Sequence, residues 1–455
     1  MCGKFNLLKT LRWWQFTLIA VILILPLFHM SLNMNLGSDA DGYIHRTLAW
    51  PPLYPLFLTI FKLFGTWQFV TARIAQTFLT FLALLYAARW IQNRLAIKNG
   101  LVFLVVLFMA SLISLHSNTL SIITAEGIAF PLFILTFFKF VEAFECLTIR
   151  NVLFVSIGSM LLMLTRSQFY SLYAMLLALI IWHLRHHVSM KLLFSTIGII
   201  MITSLVGLGF RTFYYKTIAD IPFNYQATTT GAGWEYTGWR FTVQPFFLAP
   251  ESDQSLFKSP AEQKMFVGIH RFLAKRHFTS TTVPAPITQN LLQTELYYMS
   301  ILGNLQQNIR FAIEKVQPHS TLSGSQTDRF LKKLTLELYY HHMKESAAFY
   351  IMRLGYYLAN PFVAFAFCIT ILCFIYRFIV DAHWKPSITH LFMIVSFLFV
   401  LLNAGLISIV EVWAPRYFYY PYFLYFCFAA LLANYMLPIP NAQLNKTSDT
   451  PVSID

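Results

Sequence analysis

About ten stretches of this chain are apolar and long enough to cross a lipid bilayer. They fall near 14–32, 68–88, 101–117, 122–144, 152–165, 168–183, 192–210, 354–380, 387–409 and 417–437. A helix rises about 1.5 Å per residue, so roughly 20 apolar residues cover the hydrocarbon core. Lipid offers no hydrogen bonds, so a spanning segment must satisfy its own backbone, as helices and closed barrels do. Runs of this length predict helices. The expected fold is all-α and polytopic, with about ten transmembrane helices and an extracytoplasmic loop domain. Composition agrees: 57% of the 455 residues are hydrophobic and 11% are charged, against about 25% charged in a soluble domain.

The net charge of +14 is read through topology. Lys4, Lys9 and Arg12 precede the first run, and Arg89, Arg94 and Lys98 follow the second. Arg150 precedes the fifth, Arg185 to Lys191 follow the sixth, and Arg377 and Lys385 follow the eighth. These basic loops form one alternating set, which the positive-inside bias places in the cytoplasm with both termini. Asp39, Asp41, Glu126, Arg166, the segment 211–350, Glu411 and Arg416 then share the outer side. No nucleic-acid motif accompanies the basic charge. No pair of Gly/Pro-broken runs sits at equivalent places in two halves, which weighs against a transporter or flippase.

The boundaries follow. Residues 1–210 form an N-terminal transmembrane module, with its first outer loop at 33–67. Residues 211–350 form the loop domain, with amphipathic helical candidates near 259–277, 288–315 and 327–347. Residues 351–437 form the C-terminal helices, and 438–455 a polar tail expected to be disordered. The segment 211–350 contains no cysteine, so no disulfide framework holds it. The run 14–32 lacks a following small-residue cleavage signal and is expected to remain as the first span.

The candidates for chemistry cluster at the ends of runs. Ser38-Asp39-Ala40-Asp41-Gly42 is either a helix-capping turn or a pair of reactive carboxylates. Glu126 either caps the fourth run, pairs with an arginine or acts as a carboxylate in its own right. Arg166, Arg353 and Arg416 are either interfacial arginines with their heads in water or planar, permanently charged donors to a phosphate. Tyr43, Trp50, Tyr54, Trp234 and Trp239 are candidates for sugar or acceptor contact, or members of an interfacial aromatic belt. His186-His187 and His341-His342 are neighbours, not partners one turn apart on a helical face, and predict no zinc site. A divalent cation between Asp39 or Asp41 and a phosphate is compatible with the sequence, which otherwise calls for no cofactor.

These pieces resemble the GT-C superfamily of integral-membrane glycosyltransferases. Asp39, Tyr43 and Pro51-Pro52-Leu53-Tyr54-Pro55-Leu56 are similar to the family's first outer loop. Thr124-Ala125-Glu126 is similar to its acidic residue at the fourth span, and Leu164-Thr165-Arg166 to its turn after the fifth. Pro415-Arg416-Tyr417 with Pro421 is similar to the opening of its last span. The resemblance covers most of 1–190 and 350–437 and leaves out 211–350. Many relatives have Asp-Glu where this chain has Asp39-Ala40, so a second carboxylate would be Asp41 or Glu126. The resemblance implies a polyprenyl-phosphate sugar donor, as in bacterial mannosyl and aminoarabinose transferases. It also implies a glycan, lipid or protein acceptor, and a site on the outer face of a bacterial inner membrane. Asp39 would be the general base and Arg166, Arg353 and Arg416 would hold the donor phosphate. The competing class is an O-antigen-type polymerase or ligase, which would place its essential arginines in the large loop and need no base at Asp39.

Reporter fusions test the orientation. Cytoplasmic signals are expected at residues 98, 187 and 450 and an outer signal at 300. A cytoplasmic signal at 300 would contradict both the topology and the side on which the chemistry is placed.

Overall fold

The computed structural model describes residues 12–28, 40–44, 51–116, 119–186, 189–218, 239–283, 324–358, 386–410 and 419–436, with isolated positions in 293–309 and 371–380. Among these residues the chain is all-helical and has no strand. The helices are α1 (Trp13–Phe28), α2 (Ala40–Ile44), α3 (Leu53–Ile60), α4 (Gln68–Leu95), α5 (Asn99–Ser111), α6 (Glu126–Glu145), α7 (Ile149–Met163), α8 (Ser171–Arg185) and α9 (Met190–Phe213). They continue with α10 (Trp239–Leu248), α11 (Pro260–Ala274), α12 (Gly324–His341), α13 (Met343–Tyr357), α14 (Ile388–Val410) and α15 (Tyr419–Met436).

Five helical stretches are long and apolar enough to cross a membrane: Leu53–Leu95, Glu126–Glu145, Ser167–Arg185, Met190–Thr217 and Ile388–Ile409. Trp13–Leu27, Asn99–Ser114 and Ile149–Met163 are shorter apolar helices. The run expected at 354–380 lies largely outside the described residues, as do 288–315 and the tail 438–455. Outer exposure supports a lipid setting. Met201, Ile202, Leu205, Val206 and Leu208 of α9 are all exposed, an apolar face that water would not tolerate over this length.

The centre of the bundle is α6, which packs most extensively on α4 and α7 and also meets α14, α8 and α15. Its helix runs through Pro131 without interruption. Lipid supplies no hydrophobic drive between helices, so close packing must hold them. Phenylalanine provides it. Phe138 stacks on Trp90 of α4 at 4.2 Å between ring centroids. Phe133 lies 4.7 Å from Phe399 of α14 and 5.1 Å from Tyr420 of α15.

Each end of the bundle collects its own polar groups. At one end Trp90 donates to Glu142 at 2.9 Å, Arg94 pairs with Glu145, and the backbone N–H of Lys98 meets Asn434 at 3.1 Å. Arg185 donates to the carbonyl of Ile379 at 3.0 Å. At the other end Leu53 donates to the carbonyl of Leu164 at 2.8 Å.

Residues beyond α9 build a second core. Phe246, Phe257, Met265, Phe266, Ile269, Leu334 and Leu338 are buried together, apart from the cluster centred on α6. The expected amphipathic helices appear there as α11 and α12. A full capping box, Ser259 with Glu262, starts α11, satisfying orphan backbone donors of its first turn.

Gly158 tests the packing of α6 on α7. A Cβ at this position would meet the side chain of Thr136, whose branched Cβ leaves little rotameric escape. Gly158→Leu should destabilise the detergent-solubilised protein by about 1–3 kcal/mol through overpacking. Thermal unfolding beside the wild type measures it.

Candidate functional site

The segment between α1 and α4 packs on the bundle through α2 and α3, and both insert their tyrosines. Tyr43 and Tyr54 are buried, and their rings meet edge to face at 4.7 Å. They share a small core with Ala40, Leu58, Ala72, Ile123, Ala125 and Ile128. These two tyrosines are therefore packing groups within the protein, not members of an interfacial belt. The Tyr54 hydroxyl accepts from Gln76 of α4 at 2.5 Å, and Gln76 also donates to the carbonyl of Thr124 at 3.3 Å. Gly127 makes this possible. A Cβ there would lie 2.5 Å from the Gln76 side chain, so only glycine lets α4 send an amide across the start of α6.

Glu126 opens α6 and is 1% exposed. One carboxylate oxygen accepts from Arg166 and the other from the hydroxyl of Thr124. Of the roles open to Glu126, pairing with an arginine is the one observed, and the start of a helix also favours its negative charge. Arg166 is 5% exposed, which rules out an arginine with its head in water. The Leu164-Thr165-Arg166 turn explains its placement. The backbone N–H of Arg166 returns to the carbonyl of Leu162 at 2.9 Å and the Thr165 hydroxyl bonds the same carbonyl at 2.6 Å. The turn thereby ends α7, and the Leu164 carbonyl remains for Leu53.

Tyr420, beside Pro421 in the first turn of α15, lies 5.0 Å from Phe169 between ring centroids. It is within electrostatic reach of Glu126, Arg166 and Tyr43. Residues from three of the four sequence motifs thus meet at one end of the bundle, beside Tyr420, which immediately precedes Pro421 of the fourth. Asp39, Trp50, Trp234 and Arg416 lie outside the described residues, and the side chains of Asp41 in α2 and Trp239 in α10 are likewise not described. Ala40, the covalent neighbour of Asp39, is buried in the Tyr43–Tyr54 core.

Arg353 has different partners. It is 3% exposed and donates to the carbonyl of Ser408 at 2.9 Å and to Gln244. It lines a cavity of about 340 Å³ with Gln244, Tyr339, Ser346, Tyr350 and Ser408, within the size range of small-molecule sites.

The sequence reading passed over Arg73. It is 3% exposed in α4, and among the described residues no acceptor meets its Nε or Nη2. It lies within electrostatic reach of Tyr54. Arg73, Gln76, Thr77 and Thr80 are all buried and recur at helical spacing, so they form a polar stripe on an otherwise apolar helix. That periodicity was the available signal, since an ionisable residue inside a span marks function by default.

No known protein family, curated protein or solved structure matches this chain.

The ion pair makes a sharp prediction. Glu126→Ala should cost about 3–5 kcal/mol of stability, because it strands a buried guanidinium, whereas the double variant Glu126→Leu/Arg166→Met should recover most of that loss. Thermal unfolding of the two single variants and the double variant checks it.

Proposed function

We propose that this chain is an integral-membrane glycosyltransferase. It moves a sugar from a polyprenyl-phosphate donor to a glycan, lipid or protein acceptor at the outer face of the membrane. The observation that carries this reading is the convergence of Tyr43, Tyr54, Glu126, Arg166 and Tyr420 at one end of the bundle. In the sequence four of these residues are scattered through three motifs, and Tyr420 adjoins Pro421 of the fourth.

The chemistry follows from residue types. An acceptor hydroxyl attacks the anomeric carbon while the bond from that carbon to the phosphate oxygen breaks. The bonding pair leaves with the lipid phosphate. Asp39 takes the hydroxyl proton as general base. The leaving group gains negative charge, so cationic donors already in place lower the barrier. Arg73 suits this role best, since the described residues give its Nε and Nη2 no acceptor and a buried cation calls for an anion. Glu126 holds Arg166 beside it as a positioning residue. Arg353 belongs to the separate cavity and is assigned to acceptor binding.

That cavity also supports a second reading. A polymerase or ligase would use Arg353 and the loop region and would not need Asp39.

Single-turnover transfer from a synthetic polyprenyl-phosphate sugar separates the two. Asp39→Asn should retain donor binding while turnover falls roughly 10²–10⁴-fold, the range for a lost general base. Arg73→Lys should weaken donor binding, because an ammonium cannot reproduce the bidentate fork. Normal turnover in Asp39→Asn with loss in Arg353→Ala would replace the transferase with the polymerase or ligase.

A further inference from the structure

We propose that Asp253, His341 and His342 form a binding site for a divalent transition metal of the zinc class. This site belongs to the second core and is independent of the glycosyl-transfer reading. Asp253 sits in the short 3-10 helix Glu251–Leu256, and the histidines stand where α12 passes into α13. On a regular helix, neighbouring residues point about 100° apart. The chain turns at His342, and both rings reach the same carboxylate. His342 Nε2 lies 2.5 Å from one Asp253 oxygen and His341 Nε2 lies 4.0 Å from the other. One ligand atom from each residue falls within 4.8 Å of the others. Bonds of about 2.0–2.1 Å in a tetrahedron set ligand atoms about 3.3 Å apart, so an entering ion would replace the 2.5 Å His342–Asp253 hydrogen bond.

A buried carboxylate favours a cationic partner. Asp253 is 6% exposed. Among the described residues the two histidines are its ion-pair partners. Glu251, two residues earlier, is instead matched by Arg271 at 2.6 Å. His270 also lies within electrostatic reach of Asp253. Two imidazoles and a carboxylate are the donor set of zinc sites that keep one position open. His341 is exposed, which leaves that position to water or a ligand. A bound ion would tie the 3-10 helix to the joint between α12 and α13.

The test uses the full chain in detergent, stripped with a chelator and titrated with ZnCl2 by calorimetry, with Co²⁺ absorption as a second probe of coordination. The wild type should bind Zn²⁺ saturably and melt at a higher temperature when loaded. His341→Ala, at an exposed position, should keep the metal-free melting temperature and lose affinity by more than about 100-fold, the upper range for losing a partner one shell further out. Asp253→Asn should lose affinity similarly. No saturable binding by the wild type, or wild-type affinity in both variants, would overturn the site.

Discussion

The ion pair between Glu126 and Arg166 fixes the end of the bundle on which everything else is assembled. It joins the start of α6, the most buried helix, to the turn that ends α7. The same turn presents the Leu164 carbonyl to Leu53, so the start of α3 is anchored through the residue two positions before the arginine. Removing two charges from water costs several kcal/mol per ion, and their attraction repays this only with good geometry and further hydrogen bonds. Thr124 supplies one such bond. What the pair contributes is register. A helix held mainly by phenylalanine packing could slide by a turn, whereas a carboxylate and a guanidinium with one mutual fit do not allow it.

A second consequence concerns α4. Gln76 crosses to Tyr54 and to the carbonyl of Thr124 because Gly127 leaves room, and Arg73 lies one turn earlier on the same helix. The site therefore combines a neutralised pair with a buried cation whose Nε and Nη2 have no acceptor among the described residues. This combination suits an anionic ligand: the paired charges set the geometry and the other cation supplies the attraction.

The second core follows different rules. Its helices are amphipathic and its surface carries the Glu251–Arg271 ion pair, as expected of protein that meets water, while exposed Lys333 reaches in to the buried Glu262. Its burial is hydrophobic in the ordinary sense, while the bundle depends on close packing in lipid. Arg353 stands where the two meet. Its helix α13 contacts α14 of the bundle, and its guanidinium reaches Gln244 of α10.

Much of the architecture was legible in the residues. Long apolar runs meant helices, because lipid leaves the backbone no other option. The polar Thr165–Gln168 stretch marked where α7 stops. The amphipathic periods near 259–277 and 327–347 located α11 and α12. Partner choice was not legible. Glu126 had several arginines available in sequence, and only the fold brought Arg166 to it. Arg73 escaped notice because a lone arginine inside an apolar run looks local until its neighbours at helical spacing are seen to be buried with it. His341 and His342 predicted no shared ligand, since adjacent side chains on a helix diverge, and the turn at His342 brought them to one carboxylate. Sequence by itself determined which segments leave water, because that depends on the transfer energy of each side chain. Tertiary structure decided which polar groups accompany them, because a buried charge is tolerated only where its partner already stands.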